Sequence, residues 1–185
     1  MLPALAPFLR DHPAVQIEIQ RDVDRRATDA LVEGRADLVL SQSAADAPGV
    51  VDVRLGDEEF VLVESRNHPG RRDVFLDVGP RDDTTELWIA AQPARIRPRR
   101  WTRSFLHDEP GILLGVELGL GRAVKPRHTL SAGSAIRIDP AYVPFIRPVY
   151  LQTRRQRYYG RLQQAVSRQI EAAVRARLAA QRRRS

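Results

Sequence analysis

The sequence predicts a layered α/β fold, and three observations predict it. The first 40 residues run helix, strand, helix, strand, the rhythm of stacked sheet and helix layers. The strand read at Asp37–Leu40 is a short continuous apolar run, as found where both faces of a parallel sheet are covered. The chain closes on a long helix with an apolar residue at every fourth position. Its 185 residues suffice for one domain or for two small lobes around a shared cleft.

Residues 2–12 read as a helix with Leu2, Leu5, Phe8 and Leu9 on one face, Pro3 being tolerated in the first turn, and His12-Pro13 ends it. Val15 to Gln20 alternates apolar and polar residues, a strand signal. Asp24 to Glu33 is a second helix that buries Ala27, Ala30 and Leu31 and stops at Gly34. After the strand at 37–40 come two more, Val51–Leu55 and Phe60–Glu64, separated by Gly56-Asp57. Asn67-His68-Pro69-Gly70 is a turn and a candidate lobe boundary.

Val74–Val78 reads as a strand, and Asp83-Thr84-Thr85-Glu86 has the spacing of a capping box opening a short helix. Pro93 to Arg100 is a proline- and arginine-rich loop leading to a strand near Trp101–Phe105. Asp108-Glu109-Pro110 starts a helix over Ile112, Leu113, Val116 and Leu118 that stops at Gly119-Leu120-Gly121, and Arg122–Pro126 is a strand. Residues 131–148 are loop-like apart from Ile136–Ile138, and Val149–Thr153 is a strand. The last helix spans 158–180 with Leu162, Val166, Ile170, Val174 and Leu178 as its packing stripe, ahead of a basic end at Arg182–Arg184.

Composition narrows the function. With 43% hydrophobic and 29% charged residues the chain is an ordinary globular protein, and no apolar run approaches the roughly 20 residues of a membrane span. The absence of cysteine excludes disulfides and thiolate metal sites, and with no secretory signal at Met1–Leu5 it fits the cytoplasm. His12, His68, His107 and His128 lie far apart and show no metal-ligand spacing, so neither a metal nor a cofactor is expected. Residues 1–92 carry a net charge of −8 and residues 93–185 a net of +15, an asymmetry that suits an anionic partner or mutual attraction of the halves. There is no Gly-x-Ser-x-Gly elbow and no His-Glu-x-x-His run, so an enzyme is not expected.

Four segments in order carry a family resemblance. Leu2-Pro3-Ala4-Leu5-Ala6-Pro7-Phe8 through His12-Pro13, Leu31-Val32-Glu33-Gly34-Arg35-Ala36-Asp37-Leu38, Leu55 to Pro69 ending Arg66-Asn67-His68-Pro69, and Glu117-Leu118-Gly119-Leu120-Gly121 through Pro126-Arg127 resemble the effector-binding domain of LysR-type transcriptional regulators. The resemblance implies two Rossmann-like α/β lobes joined by crossover strands, like type II periplasmic binding proteins, with a small metabolite held in the cleft between them. Residues 1–68 with 149–185 would form the first lobe and 69–148 the second. It also implies a homodimer or higher oligomer, and DNA binding only through an N-terminal winged helix-turn-helix that this sequence does not contain. The domain's first strand is likewise missing, so the chain reads as truncated and two strands are expected to lose a ladder partner.

In open α/β sheets ligands sit beyond the carboxyl ends of strands, against helix N-termini. That rule selects Ser41-Gln42-Ser43, Asp83-Thr84-Thr85 and His107-Asp108. Ser41, Gln42, Thr84, Thr85 and His107 are therefore the candidate effector contacts, Asp83 and Asp108 being N-cap residue types whether or not a ligand binds. Arg81 and Arg103 are candidates for a carboxylate on the effector. The resemblance favours a carboxylic acid, whereas Asp108 and Glu109 at a helix start leave room for an amine. The alternative reading is a free-standing solute-binding protein of the same fold. A nucleic-acid-binding role for the arginine-rich second half has no recognition module behind it.

Overall fold

A computed structural model describes residues 2–20, 27–68, 70–131 and 133–182. In chain order the elements are α1 (Leu2–Asp11), α2 (Ala27–Val32), β1 (Leu38–Ser41), β2 (Val50–Ser65), β3 (Val74–Asp77), α3 (Thr84–Ala91), β4 (Thr102–Phe105), α4 (Glu109–Glu117), β5 (Ala123–Pro126), a 3-10 turn (Arg127–Thr129), β6 (Ile136–Ile138), β7 (Phe145–Arg154) and α5 (Arg161–Arg182). They form two compact units, residues 1–57 with 148–185, and residues 58–147. The chain passes from one to the other inside β2 and returns inside β7. The boundary expected at residue 68 lies further along, past the end of β2.

In the first unit β1 pairs antiparallel with β7, Leu38 facing Thr153 and Ser41 facing Tyr150. Leu55, Val149 and Leu151 from the strands meet Leu5 of α1 and Ile170 and Leu178 of α5 in one core, with Leu38, Leu40, Val166 and Val174 at its edge. Full burial of each such side chain contributes about 1.5–3 kcal/mol. The expected α5 stripe therefore packs, except that Leu162 at its start is 49% exposed.

The second unit sets β5 and β6 against the later part of β2, both antiparallel, with Val63 facing Ala123 and Ile138. β3 and β4 form a parallel pair, Phe75 facing Arg103, and β3 is tied to the approach of β5 through Arg122. Side-chain alternation sorts the apolar run Phe60–Val63 onto two faces. Val61 and Val63 join Val74, Leu76, Ile112 and Val116 under α4, while Phe60 and Leu62 join Phe75, Trp88 and Ile89 under α3.

Several expectations are corrected. Residues 15–20 form no strand, and Ile17 and Ile19 stand 38% and 43% exposed. Alternation prepares a strand, but a ladder neighbour makes one, and among the described residues 15–20 have none. The two strands expected at 51–55 and 60–64 are one, β2. Gly56 lets it continue at φ +155, where a Cβ would come within 3.0 Å of Leu178 Cδ1 on α5. β1 runs antiparallel to its neighbour, against the parallel sheet its apolar run suggested. β7 begins four residues earlier than expected, and the start of the second helix, 24–26, and residues 183–185 lie outside the described residues.

Candidate functional site

Each unit presents one group of the candidate residues at the carboxyl end of a strand. In the first unit Ser41 closes β1. Its hydroxyl donates to the Ser43 carbonyl at 2.9 Å and lies 3.2 Å from the Ser43 N–H, so the chain turns tightly there. Beneath the turn lies Gln152 of β7, fully buried. It accepts from Thr28 Oγ1 at 3.0 Å and donates to the Ser43 carbonyl at 3.0 Å and to Asp52 Oδ1 at 2.8 Å. Asp52 also accepts from the Ala45 N–H at 3.1 Å. Ser41 and Gln42, both half-buried, thus sit on a loop held from below. Gln152 escaped sequence reading, although a lone amide among the apolar residues of a strand was a signal.

In the second unit the ends of β3 and β4 meet the start of α3. Asp77, 4% exposed, accepts from the Thr85 hydroxyl at 2.6 Å and from Arg103 Nε at 2.5 Å. Burial raises the Asp77 pKa, and the bonds from Thr85 and Arg103 oppose that rise only in part. The remaining Arg103 nitrogens reach Glu86, the Gly79 carbonyl at 3.0 Å and the Asp82 carbonyl. One guanidinium thus holds the loop before α3 to both strands.

These bonds engage several of the candidate residues. Thr85 is fully buried with its hydroxyl committed to Asp77, and Arg103 is enclosed by its own chain. Thr84 is half-buried at the start of α3 and its N–H is answered by Asp82 Oδ1 at 3.0 Å. The expected capping box is not made. Asp83 forms no side-chain cap bond and lies 3.6 Å from Arg147, while Glu86 serves Arg103. A charged, forked guanidinium is a stronger partner for a carboxylate than a neutral backbone amide. Asp108 does cap α4, accepting from the Gly111 N–H. Arg81 is exposed but already engaged within the chain.

His107 is exposed at the same end of the β3–β4 pair, and its ring lies 4.0 Å from where a Cβ on Gly79 would stand. Its φ of +61 is left-handed. Histidine is among the side chains found there more often than most, at a cost of order 1 kcal/mol.

A second ionic cluster was not foreseen. Glu64 of β2 accepts from Arg137 at 2.6 Å and 3.0 Å and from Arg72 at 3.3 Å. Burial would raise its pKa, but Arg137 and Arg72 together lower it. Nearby Arg122, 5% exposed along its side chain, lies 3.6 Å from Asp139 and over the rings of Phe75 and Tyr142 at 5.3 Å and 5.5 Å. Among the described residues no group of three or more histidines or carboxylates could hold a metal ion, and no helix is long and apolar enough to cross a membrane.

The chain is similar to known proteins in family and in fold. The family described as the LysR substrate binding domain matches residues 1–175. A probable hydrogen peroxide-inducible genes activator of Streptomyces viridosporus is 33% identical over 69 residues, which is 37% of this chain and 22% of that protein. Full-length LysG of Corynebacterium glutamicum with bound effector arginine superposes with a TM-score of 0.71 at 16% identity, over 96% of this chain and 63% of LysG. The regulatory domain of CcmR from Synechocystis PCC6803 in complex with 2-PG gives 0.72 at 16% identity, over 93% of this chain and 89% of that domain. The chain therefore spans about a fifth of the activator's length and under two thirds of LysG's.

Proposed function

The chain belongs to the LysR substrate binding domain family, and from that premise we propose that it is the effector-sensing part of a bacterial LysR-type transcriptional regulator. The two units act as its regulatory lobes, the chain passing from one to the other inside β2 and back inside β7, and the effector is a small metabolite. Ser41 and Gln42 are the contact residues of the first unit, and Thr84 and His107 those of the second. Thr85, Asp77 and Arg103 keep Thr84 in place. The observation that carries this reading is that each candidate loop stands at the carboxyl end of its strand on a framework of buried hydrogen bonds, preorganised for a ligand.

The chemistry is reversible binding rather than turnover. With Arg103 enclosed by Asp77 and Glu86, a carboxylate on the effector is met by hydroxyl, amide and backbone donors and not by that guanidinium. Peroxide sensing by a thiol is not carried over from the Streptomyces relative, because the chain contains no cysteine. We also infer a cytoplasmic homodimer or higher oligomer. Leu114 of α4 and Leu118 at its C-cap, 55% and 56% exposed, supply apolar surface for it.

The test is thermal denaturation and calorimetric titration against amino acids and small carboxylic acids. At least one class is expected to raise the melting temperature, and S41A and T84A each to weaken that ligand about tenfold. Binding that ignores both substitutions, or no binding by any compound, would overturn the proposal.

A further inference from the structure

Many arginines of this chain are answered by carboxylates: Arg35 by Glu33, Arg54 by Asp57, Arg127 by Glu59, Arg137 by Glu64, Arg175 by Glu171. Two stretches differ, 87–107 with five arginines and 140–170 with six, and neither holds an acidic residue. Among the described residues Arg154, Arg155, Arg157, Arg161 and Arg168 are all exposed and none has a carboxylate partner. Tyr158 stands among them, 75% exposed. All lie in the first unit, on the last residue of β7, the connector and the first two turns of α5.

The connector is held at several points. The Arg155 N–H donates to the Gly49 carbonyl at 2.6 Å, the Tyr159 hydroxyl to the Arg154 carbonyl at 3.3 Å, and Gln164 Nε2 to the Tyr159 carbonyl at 2.7 Å. The backbone bearing these cations is thus ordered before any partner arrives, which removes part of the entropy cost of binding. Arg161 and Arg168, seven residues apart on α5, share a face about 10 Å apart along the axis.

We propose that this corner of the first unit is a sequence-independent docking site for the phosphate backbone of duplex DNA. Guanidinium groups bind phosphate through paired hydrogen bonds, and tyrosine hydroxyls join them in such sites. Uncompensated positive charges repel one another until a polyanion meets them, and each one that does so releases a condensed counterion. The five exposed cations outnumber the two large exposed apolar side chains among them, Tyr158 and Leu162. A run of phosphates fits that balance better than a protein interface, whose core is depleted of charge. Such docking adds affinity and no base readout, and it does not depend on the effector reading.

Fluorescence anisotropy of a labelled random duplex of about 30 base pairs, titrated with the full chain between about 50 and 200 mM NaCl, tests the proposal. Binding is expected, with affinity falling linearly on logarithmic axes. The triple variant R154E/R155E/R157E is expected to weaken it at least tenfold and to make the salt slope shallower by about 3, near 0.9 for each phosphate that is no longer neutralised. The variant R95E/R99E/R100E, an equal charge change on an exposed loop of the second unit, is expected to stay within twofold of the parent. If the triple variant loses its circular dichroism, R157Q and R161Q singly read the same surface, each lowering the slope by about 0.9. Three results overturn the proposal: no binding at low salt, equal weakening by both triple variants, or displacement of the duplex by polyglutamate as readily as by unlabelled duplex. The last would assign the surface to an acidic protein.

Discussion

Arg103 reaches diagonally across the parallel β3–β4 pair to Asp77, and the same guanidinium closes on Glu86 and on two carbonyls of the loop before α3. A single side chain thereby joins two strands, a loop and a helix start, which places Thr84 at the candidate site. Removing it strands a buried carboxylate. R103A is expected to lower the unfolding free energy by about 3 kcal/mol in urea denaturation. R103K keeps the charge but not the fork that serves four acceptors, and should recover only part of the loss. A loss below about 1 kcal/mol for R103A would mean that the loop is held by something else.

Neighbouring threonines have opposite roles. T85V removes the donor to buried Asp77 at nearly constant volume and should cost about 1–3 kcal/mol of stability. Its ligand affinity should change little. T84A should change stability by under about 1 kcal/mol while weakening the effector. Melting curves with and without ligand separate the two, and the reverse pattern would move the effector's partner to Thr85.

Glu64 ties the second unit's stability to pH. Its pKa in the folded protein lies below the ordinary 4.5, because Arg137 and Arg72 more than offset the effect of burial. The folded state therefore binds this proton less readily than the unfolded chain does. The stabilisation is present above about pH 4.5 and fades as pH falls through the lowered value. Melting temperatures from pH 7 down to about 3 should drop less steeply in E64Q than in the parent. Parallel curves would show that Glu64 does not carry the acid sensitivity.

Gly119 and Gly133 separate backbone strain from crowding. Both have positive φ, +74 and +86. A Cβ on Gly119 would stand 2.7 Å from His68 Cβ, whereas at Gly133 nothing among the described residues lies within 4 Å. G133A is expected to cost about 1 kcal/mol, the conformational penalty alone, and G119A clearly more. Equal losses would show that the His68 side yields freely.

The candidate site was legible in its positions and not in its partners. Strand ends, Gly34 and Gly119 as stops, and Asp108 as a cap are short-range signals, and they led to the loops at 41–43, 83–85 and 107–108. Asp83 shows the limit. Its spacing to Glu86 matches a capping box, but the pairing went to Arg103 and Arg147, which no local pattern names.

What the sequence determined by itself is whatever adjacent residues decide among themselves. The alternation at Phe60–Val63 buries both faces of β2, the stripe on α5 finds its core, and glycine ends two helices. Only the tertiary structure decided which strand each strand meets. It left 15–20 without a neighbour among the described residues, ran β1 antiparallel to β7, and set Gln152 beneath the Ser43 turn. Periodicity reports which face of a segment is apolar. The hydrogen-bond and charge partners of that segment lie far along the chain and are selected only when each core packs.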